Sequence, residues 1–422
     1  MTEFISILHN FTYLINMQKF SRRHFLAGTA LGTGALALNS TVGFAQEGPQ
    51  NIAGFDQTHT EIDQTAVWKP ISDRKIRMGL VGYGLCQFSA SFYLQDHPNV
   101  EIVGVSDLIP ERCDALAKRV NCSKKFESLE KMVLDDSIEA SFVATDAPGH
   151  ARHCIEVMKH GKHVASAVPA VFGSLEEADQ LLETVKKTGL VYMLFETSAY
   201  HDDVYACREI YNAGGFGKMI YTEGEYYHHS VEQLDSYKGW RIGLPPQYYP
   251  THSNAYYMNV TGGSFTEVSC MGHVSRLEKY QPENNVYRNP FCSEIALFRT
   301  SEGGVARMAV CWGTPNLHGE QGRNSGEKGA FWYGHFDPAT PESAELVKTL
   351  KLKKPALPPG VDAGGHGGSH GYLGNEFVEA ILQNRRPVVD IISALNMTVS
   401  GVVAHQSALK GGELMKIPQY VF

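Results

Sequence analysis

Residues Lys75–Asp107, KIRMGLVGYGLCQFSASFYLQDHPNVEIVGVSD, constrain the fold more than any other stretch. An apolar, partly β-branched run, Ile76–Val81, meets Gly82 and Gly84. A segment of helical character follows over about 85–95, and a second apolar run, Val100–Val105, ends at Asp107. Strand, glycine turn, helix, strand and acid is the order in which a chain cradles a dinucleotide. Glycines let backbone N–H groups approach a pyrophosphate, and the helix N-terminus favours its charge. An acid closing the second strand accepts hydrogen bonds from a ribose diol. Asp107 lies 107 − 82 = 25 residues past Gly82, near the ~20 expected. Gln87 occupies the third fingerprint position, where Gly or Ala is usual, so the glycine pattern is incomplete.

The alternation continues. Strands are expected at 75–81, 100–105, 138–144, 162–167 and 190–195, with helices at 85–95, 110–119, 127–134, 149–160 and 174–187. Strands separated by helices make a parallel, doubly wound α/β sheet, with ligands bound at the edge where the strands end. The expected cofactor residues on that edge are Gly82, Gly84, Leu85, Asp107 and Arg112, joined by Thr145, Pro148 and His150 from the loop after the third strand. Asp107 favours NAD, because it repels a 2′-phosphate.

After Phe195 the texture changes. A helix at 202–212 precedes strand-like runs at 218–229, 265–270, 293–299 and 304–312, the pattern of an α+β domain with an open antiparallel sheet. Residues 313–365 are rich in Gly and Pro and read as surface loops; helices follow at 371–383 and 392–409. Aromatic and histidine side chains crowd Tyr226–Tyr257 and include Tyr237, Trp240, Tyr248, Tyr249 and His252. Rings with polar tips suit ligands that have apolar faces and hydroxyl edges, as sugars do. His366 and His370 flank a glycine-rich loop whose backbone can approach a ligand closely. Their spacing brings two ligands to one face only within a helix, so no metal site is expected.

The chain has 422 residues, is 43% hydrophobic and carries a net charge of −8. That is enough for two or three domains, and no basic stripe marks a nucleic-acid partner. The eight cysteines form no CxxC pair, which excludes zinc ribbons and thioredoxin-type chemistry. Ser21-Arg22-Arg23-His24-Phe25-Leu26 is a twin-arginine pattern followed by an Ala/Gly/Leu-rich run and small residues to Ala45. Residues 1–45 therefore read as an export signal, with Met17 an alternative start, and 46–72 as a linker. This address implies engagement of the twin-arginine machinery and a periplasmic protein. It also implies NAD loaded before export and tightly held, since that route carries folded proteins.

These residues resemble the Gfo/Idh/MocA oxidoreductases, named for glucose–fructose oxidoreductase and inositol dehydrogenase. The resemblance rests on Gly82-Tyr83-Gly84, Ser106-Asp107 with Arg112, and Ala144-Thr145 through His150. It implies a Rossmann domain over 73–195, and a substrate domain over 196–422 whose open sheet forms homo-oligomer contacts. Tyr249-Pro250-Thr251-His252 and Gly364-Gly365-His366-Gly367-Gly368 are similar to the branch that holds the NAD-dependent family 109 glycosidases. In that branch the histidine of the YPTH motif belongs to the active site, which implies His252, and a tyrosine after the fifth strand implies Tyr200. Ala167-Val168-Pro169 stands where family dehydrogenases carry Glu-Lys-Pro and the glycosidases Glu-Val-Pro, so a lysine relay is excluded there.

The expected activity is oxidation of a carbinol in a sugar or glycoside. His252 is the leading base, Tyr200 and Tyr249 assist, and Trp240, Arg241, His273, His366 and His370 bind substrate, with His273 as alternative base. One rival is hydrolysis through transient C3 oxidation and elimination; another is a cofactor-bearing binding protein without turnover. Net oxidation is favoured because the site, so read, holds one histidine and a few tyrosines, too few groups for elimination.

Overall fold

The structure is a computed structural model and describes residues 60–63, 65–229, 236–315 and 317–422. The export signal and the linker as far as residue 59 lie outside the described residues. Among the described residues, no helix is long and apolar enough to cross a membrane.

The first domain is a parallel sheet of β1 (Ile76–Val81), β2 (Val100–Ser106), β3 (Lys125–Phe126), β4 (Ala140–Val143), β5 (His163–Ser166) and β6 (Tyr192–Leu194). Its order is β3-β2-β1-β4-β5-β6, the doubly wound arrangement. The apolar runs β1 and β4 lie inside and are buried on both faces. Helices α1 (Pro110–Arg119), α2 (His150–Lys159) and α3 (Leu175–Thr188) connect the strands. The Ser174 side chain caps α3, and Gly189 ends it in the left-handed conformation.

The expected helix over 85–95 is not continuous. It breaks into turns at Phe88–Ser91 and Leu94–Asp96, because Gln87 and Tyr93 are left-handed, with φ of 50° and 55°. The break sets Phe92 into an aromatic core, 5.3 Å from Phe142 and 4.9 Å from Phe195 between ring centres. Its burial offsets the backbone cost.

The second domain holds α4 (Asp202–Asn212), β7 (Met219–His228), α5 (Thr251–Thr261), β8 (Phe265–Val274), β9 (Phe291–Thr300) and β10 (Val305–Cys311). The stretch 313–365, expected as loops, contains β11 (His318–Gly326), β12 (Gly329–Trp332), β13 (His335–Pro338) and a helix at Pro341–Lys348. The strand β11 reads HGEQGRNSG, so it has no apolar alternation to reveal it. It exists because β7 offers it an antiparallel ladder, and because Gly322 admits the Tyr256 ring where a Cβ would lie 2.3 Å away.

With β14 (Met415–Lys416) the sheet order is β13-β12-β11-β7-β10-β9-β8-β14. The sheet is mixed, since β7 and β10 run parallel. One face packs on α5 and on α7 (Ile391–Leu409), which follows α6 (His370–Leu382). Asn254 of α5 donates to the Met397 carbonyl of α7 at 2.8 Å. All of Thr251–Val260 is buried, although half of it is polar, so α5 has no amphipathic stripe in sequence.

Candidate active site

The ends of β1, β2 and β4 open into a cleft with about 1120 Å³ of space, lined by Gly82, Gly84, Leu85, Asp107, Arg112, Thr145 and His150 among others. Gly82 has φ of 89°, and a Cβ there would lie 2.4 Å from the Ala144 carbonyl oxygen. Only glycine closes this turn. A Cβ at Gly84 would meet nothing within 4 Å, so the turn leaves open space above it for a ligand's backbone contacts. Asp107 accepts from the Tyr83 and Ile109 amides at 2.6 and 2.8 Å. It thus ties the glycine turn to the end of β2, and its remaining lone pairs suit a diol. A glycine cradle beside a strand-end carboxylate fits a dinucleotide.

A second cavity of about 970 Å³ shares Leu85, Cys86, Phe88, Val168, Arg241 and Tyr249 with the cleft, so the two adjoin. His252, Thr197, Tyr226, His228, Trp312 and His366 line it further. His252, at the start of α5, donates from Nδ1 to Glu196 Oε1 at 2.7 Å, with Glu320 Oε1 at 3.6 Å. Glu196 follows β6 and also accepts from the Ser198 amide at 2.9 Å, which closes the 3₁₀ turn Thr197–Tyr200. Glu320 comes from β11, where it accepts from the Ser198 hydroxyl and lies 3.3 Å from His201 Nε2.

Both carboxylates are buried, 0% and 1% exposed at the side chain. Glu196 Oε2 and Glu320 Oε1 have no hydrogen-bond partner among the described residues. Burial disfavours a charged imidazole, but Glu196 and then Glu320 outweigh it and hold His252 up to about 9. Burial works against the Glu196 charge in turn, and attraction to His252 wins and lowers it. The three groups lie close enough to embrace a cation.

Residues 76–196 match the model of the oxidoreductase family with an NAD-binding Rossmann fold, GFO_IDH_MocA. Over these residues the chain is similar to the Gfo/Idh/MocA family. The longer chain is 25% identical to a glycosyl hydrolase family 109 protein of Solibacter usitatus, over 82% of this chain and 88% of that one. It is 29% identical to a family 109 protein of Bacteroides thetaiotaomicron, over 42% and 41%, so this match spans about two-fifths of that relative. Among solved structures, levoglucosan dehydrogenase in complex with NADH and levoglucosan superposes with a TM-score of 0.66 at 17% identity, over 82% of this chain and all of that one. Apo scyllo-inositol dehydrogenase of Lactobacillus casei superposes with 0.63 at 14%, over 82% and 99%. The Rossmann domain followed by a second sheet is thus the two-domain fold of Gfo/Idh/MocA oxidoreductases.

The site brings together some expected residues and sets others apart. Pro148 lies in the turn Ala147–Gly149 but is not on the cleft wall. Tyr200 faces neither cavity: its ring stacks on Tyr372, 5.7 Å away, under Arg208. The short turn after Glu196 carries it back into the core, which removes it from the candidate catalytic groups. Tyr249 lines both cavities, but its hydroxyl donates to the Val168 carbonyl at 2.9 Å, and burial pushes it up to about 12. It serves as wall, not as a proton donor or acceptor. Trp240 stacks on Tyr249 beneath Arg241, on the cleft side. His273 sits exposed near the end of β8, outside both cavities, because β8 alternates and its odd-numbered residues there face outward. His370 lies behind His366 and not on the wall.

Sequence reasoning missed Glu196 and Glu320. Glu196 carried a signal, since it is an acid at the end of a parallel strand on the ligand edge, as Asp107 is. Glu320 carried none, because its strand is invisible to periodicity.

Proposed function

We propose that this chain is an exported NAD-dependent oxidoreductase acting on a carbinol of a sugar or glycoside. The observation that carries the reading is His252, held between two buried carboxylates on a cavity that adjoins the dinucleotide cleft. The similarity to family 109 proteins and the fold shared with levoglucosan and inositol dehydrogenases support a carbohydrate substrate. Gly82, Gly84 and Asp107 would hold NAD, and NAD when bound supplies the two-electron oxidant. His252, in its neutral form, takes the carbinol proton on its second ring nitrogen, while Glu196 and Glu320 fix the ring and stabilise the imidazolium that forms. Tyr226, Tyr249 and Trp312 give apolar faces for a sugar ring.

The twin-arginine pattern supports periplasmic export with NAD retained tightly. Met271, Ile295, Leu297 and Val305, all exposed on β8, β9 and β10, support association of copies. Purified exported protein should release NAD or NADH on denaturation, and a panel of sugars and glycosides should reduce the bound cofactor. Recovery of mainly NADP(H), or no reduction with any sugar, would count against the reading.

A second reading is glycoside hydrolysis through transient oxidation. The preference for net oxidation assumed a site with a single histidine. Glu196, Glu320 and His366 enlarge the set of proton-handling groups, so that objection falls away. Aglycone release without keto-sugar, with solvent deuterium entering C2, would select hydrolysis.

A further inference from the structure

We infer that Lys354 is a positioning residue of the substrate cavity. Its buried ammonium joins the turn that follows Glu196 to the glycine loop that carries His366, and the segment Thr60–Asp63 holds it there. The inference rests on the oxidoreductase reading above for what the cavity does. Lys354 opens the short strand Lys354–Pro355, and its side chain is 0% exposed. Its Nζ donates to the Tyr200 carbonyl at 2.5 Å and to the Gly368 carbonyl at 3.2 Å, and pairs with Asp202 Oδ1 at 2.9 Å. An ammonium has three protons, and each finds one of these acceptors. Asp202 supplies the counter-charge that a buried cation needs. Lys354 lines neither cavity, so it does not stand in for the lysine absent from Ala167-Val168-Pro169.

Both carbonyls end loops that supply cavity wall. Tyr200 closes the turn Thr197–Tyr200. Within it, the Ser198 amide donates to Glu196 at 2.9 Å and the Ser198 hydroxyl to Glu320. Thr197 lies on the wall, with its hydroxyl 3.4 Å from His252 Nδ1. Gly368 closes the turn Gly365–Gly368, which brings His366 to the same wall. Gly364, Gly367 and Gly368 have φ of 75°, 64° and 70°. A loop so rich in glycine gains much freedom when released, so a fixed point at its end matters. One ammonium thus fixes two parts of the wall relative to each other.

The third acceptor leads to the N-terminal arm, which reads as linker in sequence. Asp202 also accepts from the Thr60 hydroxyl at 2.7 Å and from the Glu61 amide at 3.0 Å. Ile62–Asp63 pairs in parallel with Lys354–Pro355. Thr60 packs on the end of the glycine loop, where a Cβ on Gly368 would lie 2.6 Å from the Thr60 Cβ. The ion pairs of Lys353 with Glu61 and of Lys351 with Asp63 have exposed lysines and add little. A segment that precedes the Rossmann domain in sequence is therefore bound to the second domain, where two cavity loops end.

The test uses the exported, NAD-loaded protein and three variants. Lys354→Met with Asp202→Asn removes both charges, so no uncompensated carboxylate stays buried. Asp202→Asn alone keeps the shape and weakens the tether, and serves where the double variant does not fold. Thr60→Val cuts the bond from the arm and leaves Lys354 intact. In the double variant, hydrogen exchange should quicken at residues 197–201 and 364–371 and stay unchanged in β1 and β4. Its kcat/KM for the best sugar, read per NAD-loaded molecule, should fall on the order of 10²-fold, with NAD content unchanged. A loss of folded protein alone moves neither reading. Asp202→Asn should show the same pattern at smaller amplitude, and Thr60→Val faster exchange at 364–371. Wild-type exchange in both loops, or kcat and KM within about threefold of wild type, would overturn the positioning role. Wild-type exchange in Thr60→Val would overturn the part given to the arm. If the wild type turns over no sugar, the oxidoreductase reading fails by itself, and exchange in the two loops decides the tether.

Discussion

Two buried histidine–glutamate pairs in this molecule have the same length and different meanings. His405 of α7 donates to Glu294 of β9 at 2.7 Å, and His252 of α5 donates to Glu196 at 2.7 Å. The second oxygen of Glu294 accepts from the Gln247 amide at 2.8 Å, so that carboxylate is satisfied at both ends. Tyr248 and Phe291 close over the His405 ring. That pair is a staple between a helix and a sheet. Around His252, by contrast, Glu196 Oε2 and Glu320 Oε1 are left over, and a second carboxylate has been drawn in. Leftover buried oxygens cost stability, and these two lie beside the ring that lines the second cavity. Pair geometry alone would not have separated the two; the completeness of the hydrogen bonding does.

The largest expected effect on stability falls on the staple. Replacing His405 by Leu leaves Glu294 buried without its hydrogen-bond partner and should cost roughly 3–5 kcal/mol, read by urea denaturation. Turnover per folded molecule should be unchanged. A matching loss of turnover would break the contrast between the pairs.

The next effect is a pH dependence confined to the other pair. His252 is raised from 6.5 to about 9, so its stabilisation is complete below pH 6.5 and is lost as pH rises through about 9. The upper bound is about 3.5 kcal/mol, from 2.5 pH units at about 1.4 kcal/mol each. Glu196 is lowered, so its share is present above the ordinary carboxylate range and is lost as pH falls through the depressed value. Wild type and His252→Gln should therefore converge in stability on the alkaline side; a constant difference from pH 6 to pH 10 would contradict the raised value.

Glu320→Gln should sharpen the comparison by a smaller amount. With one carboxylate gone, His252 should lose its proton at lower pH, and the alkaline loss of stability should begin about one pH unit earlier, or about 1.4 kcal/mol. Should the alkaline limb stay where it is, Glu196 alone sets the charge and Glu320 is a bystander.

Much of this was legible in the chain. The run Ile76–Val81, the glycines and Asp107 gave the Rossmann half its strands and its ligand edge, because parallel core strands are continuous apolar runs that periodicity detects. The motif around His252 pointed to the cavity. What stayed hidden was polar or long-range. The strand β11 has no apolar face, α5 is buried all round, and Gln87 and Tyr93 take left-handed turns that no propensity signals. Glu320 and His252 are 68 residues apart (320 − 252) and meet only through the β7–β11 ladder. Tyr200 failed for the converse reason: its position in sequence was right for the ligand edge, and a tight turn buried its ring elsewhere.

The central claim is that His252, and not its twin His405, handles the proton in sugar carbinol chemistry. The direct test compares wild type, His252→Gln and His405→Gln, each loaded with NAD, by sugar-dependent reduction of the cofactor at neutral pH. His252→Gln should lose roughly 10²–10⁴-fold in turnover with its NAD content unchanged, while His405→Gln stays within about threefold of wild type. Full turnover in His252→Gln, or an equal loss in both variants, would contradict the account.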